Sequence, residues 1–186
     1  IDFISLQKHR NVDKLQDKFK PLQLKVNADK TEYTEIVRKA KKEDESAWRK
    51  TKKVGSLIAD ESDVTRRITL SMVAFNHMNS VWIRKDKIKR QIKLKLYNAL
   101  IRSILTYNCG TWGLTKHHEE TLDAHHRKQL RRILGIKYPT VMRNTKLYEV
   151  CNTVPISTTS TKSRWKLFGH ILRRDREIPA YQAMQL

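Results

Sequence analysis

The chain has 186 residues, with 39 Lys and Arg against 19 Asp and Glu, a formal charge of +20 and 39% hydrophobic residues. That is enough apolar material for the core of one domain or two small ones. It excludes a low-hydrophobicity disordered polymer, and the charge calls for an acidic partner. No apolar run approaches the roughly 18 residues of a spanning helix and no signal-peptide pattern opens the chain, so nucleic acid is expected and a membrane is not.

Four apolar patches in the first third each fit a short strand: IDFI from Ile1, LQLKV ending at Val26, TEYTEIV from Thr31 and KVGSLI ending at Ile58. Between the first two, His9 to Phe19 fits a helix that stops near Pro21, because proline lacks the N–H that would continue it. Lys39 to Lys52 is charged, has no apolar periodicity apart from Trp48, and reads as a loop or exposed hairpin.

Near residue 60 the period becomes helical. Asp60, Glu61, Ser62 and Asp63 form an N-terminal capping cluster, followed by Val64, Ile68, Met72, Phe75, Met78 and Trp82 on one face. A second helix, Asp86 to Tyr107, is expected to turn Ile88, Ile92, Leu96, Leu100, Ile104 and Leu105 inward. The third starts after Thr115, carries Leu122, Leu130, Ile133 and Leu134, and ends at Gly135 as a C-terminal cap. Tyr138 and Pro139 mark a turn, and Asn144 or Thr145 caps a short helix through Tyr148. A last helix from about Ser157 carries Trp165, Phe168, Ile171 and Leu172, and Trp82, Trp112 and Trp165 read as core residues.

The fold class predicted is therefore α+β, mainly α. Residues 1–59 form a strand-containing part and residues 60–186 a helical bundle followed by basic helices.

The charge is concentrated. Lys85, Lys87, Lys89, Arg90, Lys93 and Lys95 crowd one stretch, and Arg127, Lys128, Arg131, Arg132, Lys137, Arg143 and Lys146 another. Lys162, Arg164, Lys166, Arg173, Arg174 and Arg176 form a third. One such cluster is an ordinary solvated face, but three in succession favour a phosphate-binding surface.

The stretch HHEETLDAHH from His117 invites a metal reading, which its spacing does not support. His117 and His125 lie eight residues apart, about 12 Å along a helix, too far to share one ion, and the second histidine of H-E-x-x-H is missing. No metal is expected in this chain. Cys109 and Cys151, without a C-x-x-C, fit neither a disulfide framework nor a zinc ribbon and point to a reducing compartment.

LDAHHRKQLRRILGI resembles the thumb segment of the reverse transcriptases of non-LTR, LINE-type retrotransposons, with Leu122, Leu130, Arg131, Ile133, Leu134, Gly135 and Ile136 matching. His125 stands where an aromatic Phe is usual, which suggests a packed ring. Other landmarks follow in register. LKVNADKTEY resembles the palm motif at Asn27, Lys30 and Thr31, and KVGSLI resembles the primer-grip hairpin, with Lys53 and Val54 in place of the usual Tyr and Leu. YNCGTW resembles Tyr-Gly-x-Glu-Thr-Trp, with Gly110 in place of the Glu and Asn108 in place of the Gly. Asn144 and Leu147 match the next element, and LFGHILR matches the last at Gly169, His170 and Arg173.

The resemblance implies the C-terminal part of a palm followed by a thumb. IDFIS resembles the strand that leaves the catalytic hairpin, so the paired aspartates that hold Mg²⁺ for nucleotidyl transfer would precede Ile1. No catalytic residue is therefore expected in this chain, which is predicted inactive alone, and Mg²⁺ is expected only for the complete polymerase.

The implied partners are the RNA template, the DNA primer and the upstream palm and fingers of the same polyprotein, in nucleus and cytoplasm, with the presence of an endonuclease domain left open. A thumb must hold a hybrid of any sequence, so its contacts should be to phosphates. The candidates are Lys87, Lys89, Arg90 and Lys93 on one helix and Arg127, Arg131 and Arg132 on another. Lys30 would lie near the incoming nucleotide, and the Val54, Gly55 and Ser56 turn against the primer end. The alternative is a stand-alone noncatalytic basic helical module derived from such an element.

Overall fold

The computed structural model describes residues 16–25, 52–53, 55–83 and 87–184. The chain divides into two compact units, Ile1–Ile58 and Ala59–Leu186. The strands expected at IDFI and TEYTEIV, the loop expected before Lys52, and Lys30 and Val54 lie outside the described residues.

In the first unit, residues 16–19 are helical and run into a 3-10 turn, Lys20–Leu22, with Pro21 in its first positions. The helix stops where the proline predicts. The strand expected at LQLKV is absent over its described residues. Leu22 belongs to the turn, and Gln23 closes it in the left-handed region at φ 56°, its N–H donating to the Lys20 carbonyl. KVGSLI forms a hairpin, with β1 (Lys52–Lys53) antiparallel to β2 (Ser56–Leu57), Lys52 facing Leu57 and Lys53 facing Ser56. A reversal this tight requires a positive φ, which Gly55 supplies at 80°.

The second unit is helical, so the described chain is α+β and mainly α. The helices α1 (Asp60–His77) and α2 (Asn79–Ile83) are separated by Met78. Helix α3 (Arg90–Leu96) continues through a π-helical stretch, Tyr97–Arg102, into α4 (Ser103–Leu105). A 3-10 turn, Cys109–Thr111, leads to α5 (Lys116–Leu134). After it come α6 (Asn144–Val150), α7 (Ile156–Leu172) and α8 (Pro179–Ala183).

Helix α5 is the hub, and its ends sit where its sequence puts them. The Thr115 side chain accepts from the His118 N–H, and Gly135 at φ 68° donates its own N–H to the Arg131 and Arg132 carbonyls. The C-terminal half of α5 packs Leu130 and Ile133 with Phe75, Trp82, Tyr97, Ile101, Leu147 and Cys151. Its N-terminal half packs Leu122 with Val64, Leu105, Cys109, Trp112 and Ile156. Trp82 and Trp112 are core residues as expected.

Several inward faces differ from the periodicity reading. On α3 to α4 the buried residues are Lys93, Tyr97, Ile101 and Leu105, whereas Ile92 and Leu100 are nearly half exposed. The buried stripe is rotated by one residue from the expected one. The π-helical stretch takes more residues per turn than an α-helix, so a stripe spaced by four stays on one face through Tyr97 and Ile101. On α1, Met72 is 48% exposed, and Ser71 takes the inward position.

The cap of α1 is Ala59, not an acidic side chain. The first-turn acids reach elsewhere: Asp60 accepts from the Gly113 N–H at 2.9 Å and Asp63 from the Trp112 indole at 3.1 Å. On α7, Trp165 is 70% exposed, contrary to its core expectation. The inward face of that helix is carried by Ile156 and Ser160, and the Ser160 hydroxyl donates to the Cys109 carbonyl at 2.8 Å.

Candidate nucleic-acid interface

The basic candidates divide into cations facing outward and cations committed to the fold. Lys87, Lys89 and Arg90 are exposed around the N-terminus of α3. Lys93, one turn later, is buried, and its Nζ donates to the Trp82 carbonyl at 2.9 Å. Trp82 lies in the last turn of α2, where carbonyls have no partner within the helix, and the ammonium satisfies one of them. The expectation that Lys93 contacts phosphate is thereby corrected.

On α5 the arginines diverge. Arg132 is exposed, donates to the Asn76 and Asn79 side-chain oxygens at 3.0 Å each, and lies over the Phe75 ring, so it bridges the junction of α1 and α2. Arg131 donates to the Asn144 side-chain oxygen at 2.7 Å and to the Met142 carbonyl at 3.3 Å, at the start of α6. Arg127 lies beside the Tyr148 phenol, one turn further along α6. Burial pushes that phenol up, and the neighbouring guanidinium works against the rise. Arg90 is close enough to Cys151, at the end of α6, for its charge to oppose the rise that burial imposes on the thiol.

Arg131 and Arg127 therefore form a short row beside the first turn of α6. Among the described residues, no carboxylate lies within ion-pair distance of any of these cations. The ion pairs present run from Asp63 to Arg66 and Arg67 on α1. Two partly exposed arginines, with the exposed Lys87, Lys89 and Arg90, have the sign to hold phosphates of a backbone.

A polar network fixes this row from beneath, and periodicity could not reveal it. The Tyr97 hydroxyl donates to Gln129 Oε1 at 2.9 Å and lies 2.7 Å from His126 Nδ1, locking α3 to α5. His126 is fully buried and stacks between the Tyr97 and Tyr148 rings. Its pKa is pushed down to about 3, first by burial and then by the charges of Arg102, His125 and Arg127. Burial likewise drives the Tyr97 phenol far up, so both rings stay neutral. The participants are dispersed in sequence and all polar, which hides them from any apolar pattern.

His125, next to His126, is structural in the same way. His125 Nε2 lies 2.8 Å from Ser71 Oγ, a packed ring as expected from its place in the thumb pattern. Among the described residues, no group of three His, Cys, Asp or Glu side chains is placed to hold a metal ion. Cys109 and Cys151 are free, buried thiols in different clusters of the core.

In the first unit, Gly55 lies exposed in the tight turn of the hairpin, and Ser56, the first residue of β2, is buried. Among the described residues, no helix is long and apolar enough to cross a membrane. No family model, curated protein or solved structure matches the chain.

Proposed function

We propose that this chain is the C-terminal palm and thumb portion of a non-LTR retrotransposon reverse transcriptase, an RNA-directed DNA polymerase, and that its helical unit holds the RNA–DNA hybrid of template and primer. The observation that carries the reading is a set of cations free of carboxylate partners among the described residues: Arg131 and Arg127 beside the first turn of α6, and Lys87, Lys89 and Arg90 exposed around the start of α3. Six sequence motifs in family order support it. Cations aimed at backbone phosphates read no sequence, as an enzyme that advances along any template requires.

The near A-form hybrid offers a wide, shallow minor groove that packed helices can cover by shape. In this reading Arg131 is held by Asn144, so less side-chain entropy is lost on meeting phosphate. Lys30 stands near the incoming nucleotide, Gly55 permits close backbone approach to the primer end, and the protein works in the nucleus and cytoplasm with the upstream parts of the same polyprotein.

The test is equilibrium binding of a labelled blunt RNA–DNA hybrid, with anionic vesicles as competitor. Hybrid binding that vesicles do not displace is the expected result. Binding to vesicles alone, or to neither, contradicts the proposal.

A further inference from the structure

Two stripes run side by side along the outer face of α7. Thr161, Trp165, Phe168 and Leu172 follow one another at spacings of four, three and four, which places them in a single line on a helix. Lys162, Lys166, Gly169 and Arg173 repeat the same spacing one residue on.

The first stripe is apolar and open to solvent: Trp165 is 70% exposed, Leu172 58% and Phe168 37%, and the Trp165 and Phe168 ring centres lie 6.0 Å apart. In the second stripe Lys162, Lys166 and Arg173 are all exposed. Helix α7 contains no Asp or Glu, so neither stripe carries negative charge.

Gly169 joins the two. A Cβ at this position would stand 3.2 Å from Arg173 Nη1, so the guanidinium folds back into the space the missing side chain leaves, one turn from Trp165. On the other side of Phe168, an open groove of about 450 Å³ is lined by Trp112, Gly113, Leu167 and Ile171.

From this juxtaposition we infer that the outer face of α7 is a stacking platform for the single-stranded RNA template beyond the duplex. Trp165 and Phe168 offer ring faces to its bases, and Lys162, Lys166 and Arg173 neutralise the adjoining phosphates. Aromatic rings beside cations suit a single strand, because every base has a face to stack and every linkage a charge to neutralise. Burying the same stripe under an uncharged protein surface would desolvate three cations without compensation. A membrane-lying helix needs a broad apolar face, whereas α7 turns Ile156 and Ser160 into the protein core. The identity of the strand as template rests on the function proposed above, while the stacking chemistry does not.

The test compares the affinity of the chain for a blunt hybrid and for the same hybrid with a short RNA overhang. The overhang should tighten binding by about fivefold to about 150-fold for a stacked base. Trp165→Ala should abolish that gain and Trp165→Phe retain most of it, with blunt-hybrid affinity unchanged in both. These side chains are outside the core, so loss of folding does not confound the comparison. An overhang without effect on the wild-type chain overturns the inference. So does a gain that survives Trp165→Ala while that variant loses vesicle binding or self-association instead. Binding of the overhung hybrid with no binding of the blunt one keeps the platform and refutes the duplex reading, which separates the two.

Discussion

Lys93 Nζ and the Trp82 carbonyl oxygen lie 2.9 Å apart inside the protein, and this contact divides the cations of α3 into structural and surface groups. Lys93→Met should fill the volume but leave a buried carbonyl unpartnered, lowering stability by about 1–3 kcal/mol in urea unfolding. Hybrid affinity measured on the folded protein should not change. A loss of affinity without loss of stability would return Lys93 to the binding surface.

Burial of His126 makes stability fall in acid. Its folded pKa, about 3, lies below the ordinary histidine value of 6.5, so between those values the unfolded chain binds a proton that the folded chain does not. The contribution is fully present above about pH 6.5 and is lost progressively as pH falls toward 3. From pH 7 to pH 5 the loss from this group is about 2 kcal/mol. His126→Asn retains a polar partner for Tyr97 and should flatten that part of the profile, read as the urea midpoint at each pH. An equally steep decline in the variant would show that the slope arises elsewhere.

Gly110 stands where the resembled motif has Glu, and the packing of α7 supplies the reason. A Cβ at Gly110 would lie 3.1 Å from the Ser163 carbonyl oxygen and 3.2 Å from its carbon, both backbone atoms that cannot rotate away. Gly110→Ala should therefore push α7 off the Cys109–Thr111 turn and destabilise the unit by about 1–3 kcal/mol. Unchanged thermal stability would mean that this contact is looser than its geometry.

How much of this was legible depended on whether the signal was local. Helix α5 could be read from Thr115 to Gly135 because each cap acts within one turn of itself. The end of the first helix is legible at Pro21, whereas KVGSLI reads as one short strand by its pattern and as a hairpin only through the resemblance. The inward face of α3 was not readable, since Lys93 and Tyr97 are buried through partners on α2 and α5 that no sequence window contains. The all-apolar alternative, Ile92 and Leu100, was the more persuasive pattern and the wrong one. Trp165 was misassigned for the converse reason: its size argues for a core, and its place on α7 leaves it in solvent. Among the candidate site residues, exposure of Lys87, Lys89 and Arg90 followed from their charge, but the placing of Arg131 and Arg127 beside the first turn of α6 is a tertiary property.

The central claim is that these cations hold backbone phosphates, and its most direct test is the salt dependence of hybrid binding. The logarithm of affinity should fall steeply and linearly with the logarithm of salt concentration. Replacing Lys87, Lys89 and Arg90 together by Ala should reduce that slope by about two to three, because each phosphate contact contributes about 0.7–0.9. Lys93→Met should leave the slope at its wild-type value. A slope unchanged by the triple replacement, or a wild-type affinity insensitive to salt, would contradict the account.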